Sequence, residues 1–241
     1  RFDLRRDREG HFVAGEEMVA NARYIAEAVE IPVIVDADTG YGNALNVMRT
    51  VRAFEQAGVA GIHIEDQDWP KKCGHMLGRR VIAAEDMAAK IRVACEARVD
   101  PNFLIIARTD ARTTLGPDEA LRRGELYRNA GADLLFIESP ETVEEMERIG
   151  RTFAGVPLVA NMVEGGRTPL LDAATLERIG YRLAIFPALG FLAAGAVLDK
   201  AYRGLREKGS SVGLDVELYP FKAFGELMGF NRISEFDRKY R

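Results

Sequence analysis

The chain has 241 residues, of which 47% are hydrophobic and 29% charged, the composition of an ordinary soluble globular protein. Its formal net charge of -4 gives no general attraction to nucleic acid or to a membrane surface, and no apolar run is long enough to span a bilayer. Its two cysteines cannot form a disulfide framework, so we expect a reducing, cytoplasmic setting.

Short β-branched segments alternate with helical patterns along the chain. The predicted strands cover residues 31–35, 61–64, 103–107, 133–137, 157–160 and 182–186. Helices are predicted at 16–30, after a cap at Asn43, at 85–98, from Pro117 onward, and at 142–149, 172–179 and 191–208. This alternation predicts parallel strands joined by right-handed crossovers in a single domain.

The number of strands leaves two architectures open. A closed (β/α)8 barrel needs eight strands, and six are found. The first predicted helix precedes the first predicted strand, and residues 1–15 are polar with no strand pattern. Either the chain lacks an N-terminal segment of a barrel, or the fold is an open sheet.

Polar side chains follow the predicted strands at their C-terminal ends, where α/β barrels carry their active sites. These residues are Asp36, Asp38, His63, Glu65, Arg108, Asp110, Glu138 and Asn161. Asp36, Asp38 and Glu65 form an all-oxygen set, which suits Mg²⁺ or Mn²⁺ better than Zn²⁺. A single Asp-x-Asp pair would more simply be a solvated strand end, but several converging acids imply a shared cation. His63 is expected to pack between strands.

The segment Lys71-Lys72-Cys73-Gly74-His75 lies in a long loop after the second predicted strand. Cys73 stands beside two lysines, an electropositive setting that favours the thiolate and permits proton exchange near neutral pH. By spacing alone, a neutral loop cysteine and a surface imidazole explain the segment equally well. A zinc site lacks soft ligands, because Cys95 falls on the apolar face of a helix.

Five ordered motifs resemble the isocitrate lyase/phosphoenolpyruvate mutase superfamily, most closely its methylisocitrate lyase and dimethylmalate lyase branch. They lie at residues 35–42, 63–67, 71–75, 107–111 and 161–169. The resemblance implies an α/β fold, a TIM-type (β/α)8 barrel over residues 1–241 whose N-terminal strands are missing from this chain. Residues 210–241 would form C-terminal helices that pack on or swap with a neighbouring subunit of a homo-oligomer, a dimer or tetramer.

The resemblance also implies roles for individual residues. Mg²⁺, or Mn²⁺, would be held by Asp36, Asp38 and Glu65. Cys73 would be the catalytic acid/base on a mobile loop, shaped by Lys71 and His75. Arg108 would clamp a substrate carboxylate. The implied catalytic set is Cys73, Lys71, His75, Arg108 and Glu138, and the implied substrate contacts are Gly74, His75, Arg108, Glu138 and Asn161.

The activity implied is that of a carbon–carbon lyase. It would cleave a small 2-hydroxy dicarboxylate or tricarboxylate to a 2-oxo acid and a carboxylic acid, with Cys73 protonating the departing carbanion. The apolar stretch 187–192 favours dimethylmalate or oxaloacetate over methylisocitrate, unless it only packs against the C-terminal helices. Alternatives are an oxaloacetate hydrolase or decarboxylase, a carboxyphosphonoenolpyruvate mutase, and a barrel that binds a ligand without catalysis. The family's Tyr-x-Ser-Gly loop is not found, so no base is assigned.

Overall fold

Six parallel strands in sequential order form one sheet in the computed structural model, which describes residues 15–241. The strands are β1 (Ile34–Asp36), β2 (Gly61–Glu65), β3 (Leu104–Thr109), β4 (Leu134–Ile137), β5 (Leu158–Asn161) and β6 (Tyr181–Ile185). All six predicted strands are present. Their sequential parallel order is that of a (β/α) barrel, so the predicted architecture is confirmed. The prediction for residues 1–14, and with it the expected N-terminal deficit, lies outside the described residues.

The first helix precedes the sheet, and those that follow it fill the crossovers between the strands. They are α1 (Gly15–Ala28), α2 (Ala44–Gln56), α3 (Ala84–Ala97), α4 (Ala111–Leu115), α5 (Pro117–Asn129), α6 (Val143–Thr152) and α7 (Ala173–Ile179). The side chain of Asn43 accepts hydrogen bonds from the backbone N–H groups of Leu45 and Asn46, which completes the predicted cap of α2. Pro117 opens α5 as predicted, because the first turn of a helix needs no N–H there.

The two faces of the sheet bury different side chains, as the two-residue period of a strand requires. Ile62 and Ile64 of β2 pack with the helices in the larger core, as do Ile105 and Ala107 of β3. A smaller core on the opposite face contains Ile106, Leu134, Phe136 and Val159. His63 and Glu65 alternate with the isoleucines of β2 and therefore point to this second face. The polar strand ends and the small core thus share the inner side of the sheet.

Residues 188–241 form a second compact unit, separate from residues up to 187. This unit contains α8 (Leu189–Lys208), α9 (Phe221–Leu227) and α10 (Phe230–Tyr240). Gly209 ends α8 with φ 65°, the left-handed cap expected there. None of the residues of these three helices is buried. No helix in the described part of the chain has the length and apolar character that a membrane crossing requires.

Candidate metal and substrate site

Three carboxylates converge at the C-terminal ends of β1 and β2. Asp36 ends β1, and its Oδ1 accepts the backbone N–H of Asp38 at 2.7 Å. Asp38 lies beyond the strand in a left-handed turn with φ 59°, and its carbonyl accepts the backbone N–H of Glu65 at 2.9 Å. The Nζ of Lys71 lies 3.5 Å from Asp36 Oδ2, 3.5 Å from Asp38 Oδ1 and 3.7 Å from Glu65 Oε1. The three predicted metal ligands therefore surround the ammonium group of Lys71, at a position where their charges favour a cation.

The inner face also places His63 in this acid cluster. Its Nε2 lies 3.0 Å from Asp36 Oδ1, and its ring packs edge-on against Phe136 with the centroids 5.6 Å apart. Ligand atoms of Asp36, His63 and Glu65 all lie within 4.8 Å of one another. His63 is thus packed between strands as expected, but it also faces the site, because it shares the inner side of β2 with Glu65.

The residues present fit a divalent cation. Glu65 is fully buried, and neither of its carboxylate oxygens accepts a hydrogen bond from the described residues. More carboxylates than cationic side chains meet in the ion pairs of this region. The carboxylates are Asp36, Asp38, Glu65, Asp110 and Glu138, and the cationic groups are Lys71, Arg79 and Arg108. The deficit of two positive charges is the charge that one divalent ion supplies.

The surroundings shift the pKa values of Asp36 and Glu65 in opposite directions. Burial by itself would raise the pKa of Asp36, but His63 and Lys71 outweigh burial and hold that pKa well below its ordinary value. Burial raises the pKa of Glu65 well above its ordinary value, even though Arg108 opposes the change. Asp36 is therefore ionised without help, whereas the charge on Glu65 requires a further cation nearby.

Arg108 is the last residue but one of β3, pairs with Glu65 of β2 and is buried. Its Nε and Nη2 donate to the two carboxylate oxygens of Asp110 at 2.9 and 3.1 Å. Its Nε lies 3.4 Å from Glu65 Oε2, and its Nη2 lies 3.3 Å from Glu138 Oε2. Burial would lower the pKa of Arg108, but these three carboxylates raise it above its ordinary value, so the guanidinium stays charged. Nη1 donates no hydrogen bond to the described residues, and it is free to bind an anion.

The loop after β2 lies directly on this guanidinium. A Cβ added to Gly74 would stand 2.5 Å from Arg108 Nη2 and 2.8 Å from the carboxyl carbon of Glu138, so only glycine fits. Ser139 Oγ donates to the Gly74 carbonyl at 2.7 Å. Gly74 therefore holds the predicted substrate loop against the ends of β3 and β4.

His75 faces Glu138 and Asn161 from the same loop. Its Nδ1 accepts the backbone N–H of Arg167 at 3.1 Å, so the neutral ring carries its proton on Nε2, which lies 3.6 Å from Glu138 Oε1. Asn161 Nδ2 donates to Glu138 Oε2 at 3.1 Å. Burial lowers the pKa of His75 although Glu138 opposes it, which favours the neutral ring. The structure thus brings together the predicted contacts Gly74, His75, Arg108, Glu138 and Asn161.

Cys73 is exposed in this loop, one residue before Gly74. Its carbonyl accepts the backbone N–H of Met76 at 2.9 Å in a turn. Its thiol forms no hydrogen bond with the described residues, whereas the thiol of Cys95 donates to the Gly131 carbonyl at 3.1 Å. Cys73 is therefore the accessible thiol beside the site, and its role as acid/base stays a prediction.

A buried polar layer behind the site has no counterpart among the residues that the sequence predicts. Asp66 accepts hydrogen bonds from Thr109 Oγ1 at 2.7 Å, Tyr127 OH at 2.7 Å, Arg123 Nη1 at 2.9 Å and the backbone N–H of Asp110 at 2.9 Å. These donors come from the end of β3, from the residue after it and from α5, far from Asp66 in sequence, so no local pattern indicates them. Asp66 ties the end of β2 to the end of β3 and fixes the backbone that carries the Arg108 clamp.

The chain is similar to known proteins over nearly all of its length. A family model described as phosphoenolpyruvate phosphomutase matches residues 7–206. The chain is 53% identical over 224 residues to the 2,3-dimethylmalate lyase of Eubacterium barkeri, covering 93% of this chain and 77% of that protein. It is 43% identical over 227 residues to a 2-methylisocitrate lyase of Aeropyrum pernix, covering 92% and 73%.

Structural comparison agrees with the sequence comparisons. A crystal structure of 2,3-dimethylmalate lyase, described as a PEP mutase/isocitrate lyase superfamily member, matches with a TM-score of 0.88 and 36% identity. The match covers 95% of this chain and 76% of that one. The relatives are named as lyases, and this confirms the predicted enzyme class, a carbon–carbon lyase. The chain belongs to the phosphoenolpyruvate phosphomutase family, within the PEP mutase/isocitrate lyase superfamily.

Proposed function

We propose that the chain is a Mg²⁺-dependent lyase that cleaves a small 2-hydroxy dicarboxylate of the 2,3-dimethylmalate type to a 2-oxo acid and a carboxylic acid. The observation that carries the proposal is the contact between the acid cluster and the carboxylate clamp, since Glu65 Oε2 lies 3.4 Å from Arg108 Nε. A site for a divalent ion and a site for a carboxylate are thus adjacent. A substrate with a hydroxyl group and two carboxylates fits such a pair of sites.

Asp36, Asp38 and Glu65 are the residues that would hold the ion. Their ligand atoms are all carboxylate oxygens, which suit Mg²⁺ and also Mn²⁺. When bound, the ion supplies Lewis acidity, which makes a substrate hydroxyl easier to deprotonate. The orphaned oxygens of buried Glu65 and the charge deficit around it support this assignment.

The other site residues position the substrate and move a proton. Arg108 binds a substrate carboxylate through its unused Nη1, and its charge stabilises the enediolate that leaves when the carbon–carbon bond breaks. Glu138 is held in position by the hydrogen bond from Asn161 and by its contact with His75. The hydroxyl proton passes to solvent, Cys73 gives its Sγ proton to the carbanion carbon, and the resulting thiolate takes a proton back from solvent, so the protons balance.

Two observations support dimethylmalate as the substrate type. The relative with 53% identity is named 2,3-dimethylmalate lyase. In the sequence, residues 187–192 carry no charge, and the resemblance to the family implies that such an apolar stretch favours a dicarboxylate over a tricarboxylate. A substrate whose distal groups are methyls is therefore favoured.

We also infer a homo-oligomer, a dimer or tetramer, in the cytoplasm. The unit formed by α8, α9 and α10 exposes many large apolar side chains, including Phe191, Tyr219, Phe221, Phe230 and Phe236. Soluble monomers rarely expose so much apolar surface, so a neighbouring subunit is the expected cover. Two free cysteines suit a reducing compartment.

The test is a substrate panel with the purified protein and Mg²⁺. 2,3-Dimethylmalate, 2-methylisocitrate and oxaloacetate are incubated separately, and the products are identified by NMR. We expect pyruvate and propionate from 2,3-dimethylmalate, and no reaction after a chelator removes the metal. Oxalate and acetate from oxaloacetate would support a hydrolase instead. Turnover of none of the three acids would contradict the proposal.

A further inference from the structure

We propose that Arg79 is a positioning residue, which holds the Arg108 clamp in place through the carboxylate of Asp110 and offsets the negative charge of that carboxylate. The inference deepens the function proposed above, because it concerns the same carboxylate site. It adds a residue outside the strand ends that resemble the family's site. Arg79 belongs to the loop between β2 and α3, the loop that also carries Cys73 and Gly74.

Arg79 is connected to Arg108 through the carboxylate of Asp110. The side chain of Arg79 is fully buried, although the neighbouring Arg80 is largely exposed. Arg79 Nη1 donates to Asp110 Oδ1, and Arg79 Nη2 donates to Thr113 Oγ1 in α4. The same Asp110 carboxylate accepts both the Nε and the Nη2 hydrogen bonds of Arg108. One carboxylate therefore bridges two buried guanidinium groups.

Fold stability alone does not explain this arrangement. Two buried cations repel each other, and Nε of Arg79 has no acceptor among the described residues. Replacing a whole buried ion-pair network by well-packed apolar side chains is often neutral or stabilising, so the network is weak evidence for a role in stability. The cost of burying Arg79 therefore points to a requirement of the site.

The charge balance indicates what that requirement is. Asp110, Glu65 and Glu138 all lie within 3.4 Å of the Arg108 guanidinium and offset its attraction for an anion. Arg79 balances the charge of Asp110, and the divalent ion proposed for the acid cluster would balance that of Glu65, so Arg108 keeps more of its attraction for a substrate carboxylate. Asp110 also accepts hydrogen bonds from Nε and Nη2 of Arg108, and this fixes the direction in which the unused Nη1 points. Arg79 therefore offsets the charge of Asp110 and holds it in place, and Asp110 fixes the orientation of Arg108.

Arg79→Met keeps the length of the side chain and removes its charge, so it tests the inference. The matched control is Arg80→Met, which removes the adjacent arginine of an exposed pair with Asp68. Malonate is the probe, because it is a dicarboxylate without the cleavable bond. Its Kd for the Mg²⁺-loaded protein is measured by calorimetry, and kcat and KM are measured with 2,3-dimethylmalate.

We expect Arg79→Met to raise both the malonate Kd and the KM about tenfold, with a smaller change in kcat. Arg79→Lys should restore most of the affinity, and Arg80→Met should match the wild type. Equal malonate affinity in wild type and Arg79→Met would overturn the inference, whatever their melting temperatures. Wild type that cleaves none of the acids but binds malonate more tightly than Arg79→Met would refute the proposed function and keep this inference.

A second variant covers the case in which Arg79→Met does not fold. Thr113→Val removes one of the two anchors of the Arg79 guanidinium and leaves its charge in place. We expect the malonate Kd to rise by about threefold in this variant, because a misaligned guanidinium holds Asp110 less firmly. An unchanged Kd in a folded Thr113→Val protein would overturn the inference.

Discussion

The ammonium nitrogen of Lys71 lies 3.5 Å from a carboxylate oxygen of Asp38, at the centre of the acid cluster. Asp36 and Glu65 lie at nearly the same distance from it. Burial would lower the pKa of Lys71, but the three carboxylates raise it, so the side chain is a permanent cation. Lys71 and a divalent ion therefore compete for the same three carboxylates.

Replacing Lys71 by Met should tighten metal binding. Removing a positive charge about 4 Å from the carboxylates leaves them more attractive to a divalent ion, by about tenfold or more in Kd. The measurement is titration with Mn²⁺, with the free ion read by electron paramagnetic resonance. Lys72→Met is the matched control, because the Lys72 ammonium donates to the Gly78 carbonyl instead. Mn²⁺ binding that is unchanged or weaker in Lys71→Met would show that the lysine does not compete.

Glu65→Gln should stabilise the metal-free protein and weaken its response to metal. The pKa of Glu65 is raised mainly by burial, so its ionised form destabilises the folded chain, and a neutral amide of the same shape removes that penalty. We expect the melting temperature without metal to rise by about 2–4 °C, and the further rise on adding Mg²⁺ to shrink.

The control for this variant is Glu96→Gln, which changes an exposed carboxylate of α3 in the same way. Its melting temperature should match the wild type with and without Mg²⁺. A Glu65→Gln protein that melts below the wild type without metal, or gains as much stability from Mg²⁺, would contradict the assignment of Glu65 as a ligand.

The parts of the site that sequence predicts are those fixed by the strand period. Asp36 and Glu65 end their strands, Arg108 is the last residue but one of β3, and the strand register brings Glu65 opposite Arg108. The two-residue period is visible in the sequence, and the strands themselves are bounded by clear turn residues. The convergence of these three side chains therefore follows from the order of residues along the chain.

The parts that sequence does not predict depend on contacts between distant segments. The strand period places Asp38 in line with Asp36, but Asp38 lies in a left-handed turn, and a turn of this kind has no signature in an Asp residue alone. In the sequence, Arg79 and Arg80 are two adjacent loop arginines that cannot be told apart. Only the structure distinguishes them, because Arg79 is buried against α4 and Arg80 is exposed. The five-residue α4 escapes prediction because it is too short to show a helical period.

Cys73→Ser should reduce turnover of 2,3-dimethylmalate by about 10²–10⁴-fold, since a serine hydroxyl is a much poorer proton donor than a thiol. The melting temperature should not change, because Cys73 is exposed and its side chain has no hydrogen-bond partner among the described residues. The matched control is Cys95→Ser, which alters the half-buried thiol on α3 and should leave kcat unchanged. Full activity in Cys73→Ser would remove Cys73 from the proposed reaction.

Asp110→Asn should show a loss of stability that depends on pH. Burial would raise the pKa of Asp110, but Arg108 and Arg79 outweigh it and hold that pKa below its ordinary value. A depressed carboxyl pKa stabilises the fold fully above the unfolded value of about 3.9, and this contribution is lost as the pH falls through the folded value. The free energy of unfolding, measured in urea between pH 6 and pH 2, should therefore differ most between wild type and Asp110→Asn at pH 6. The difference should shrink below about pH 4.

Asp68→Asn, at the exposed partner of Arg80, should show little difference at any pH, since surface ion pairs contribute little. A constant difference between wild type and Asp110→Asn over this range would mean that the two arginines do not stabilise the ionised carboxylate, and the two-arginine bridge would lose its electrostatic basis.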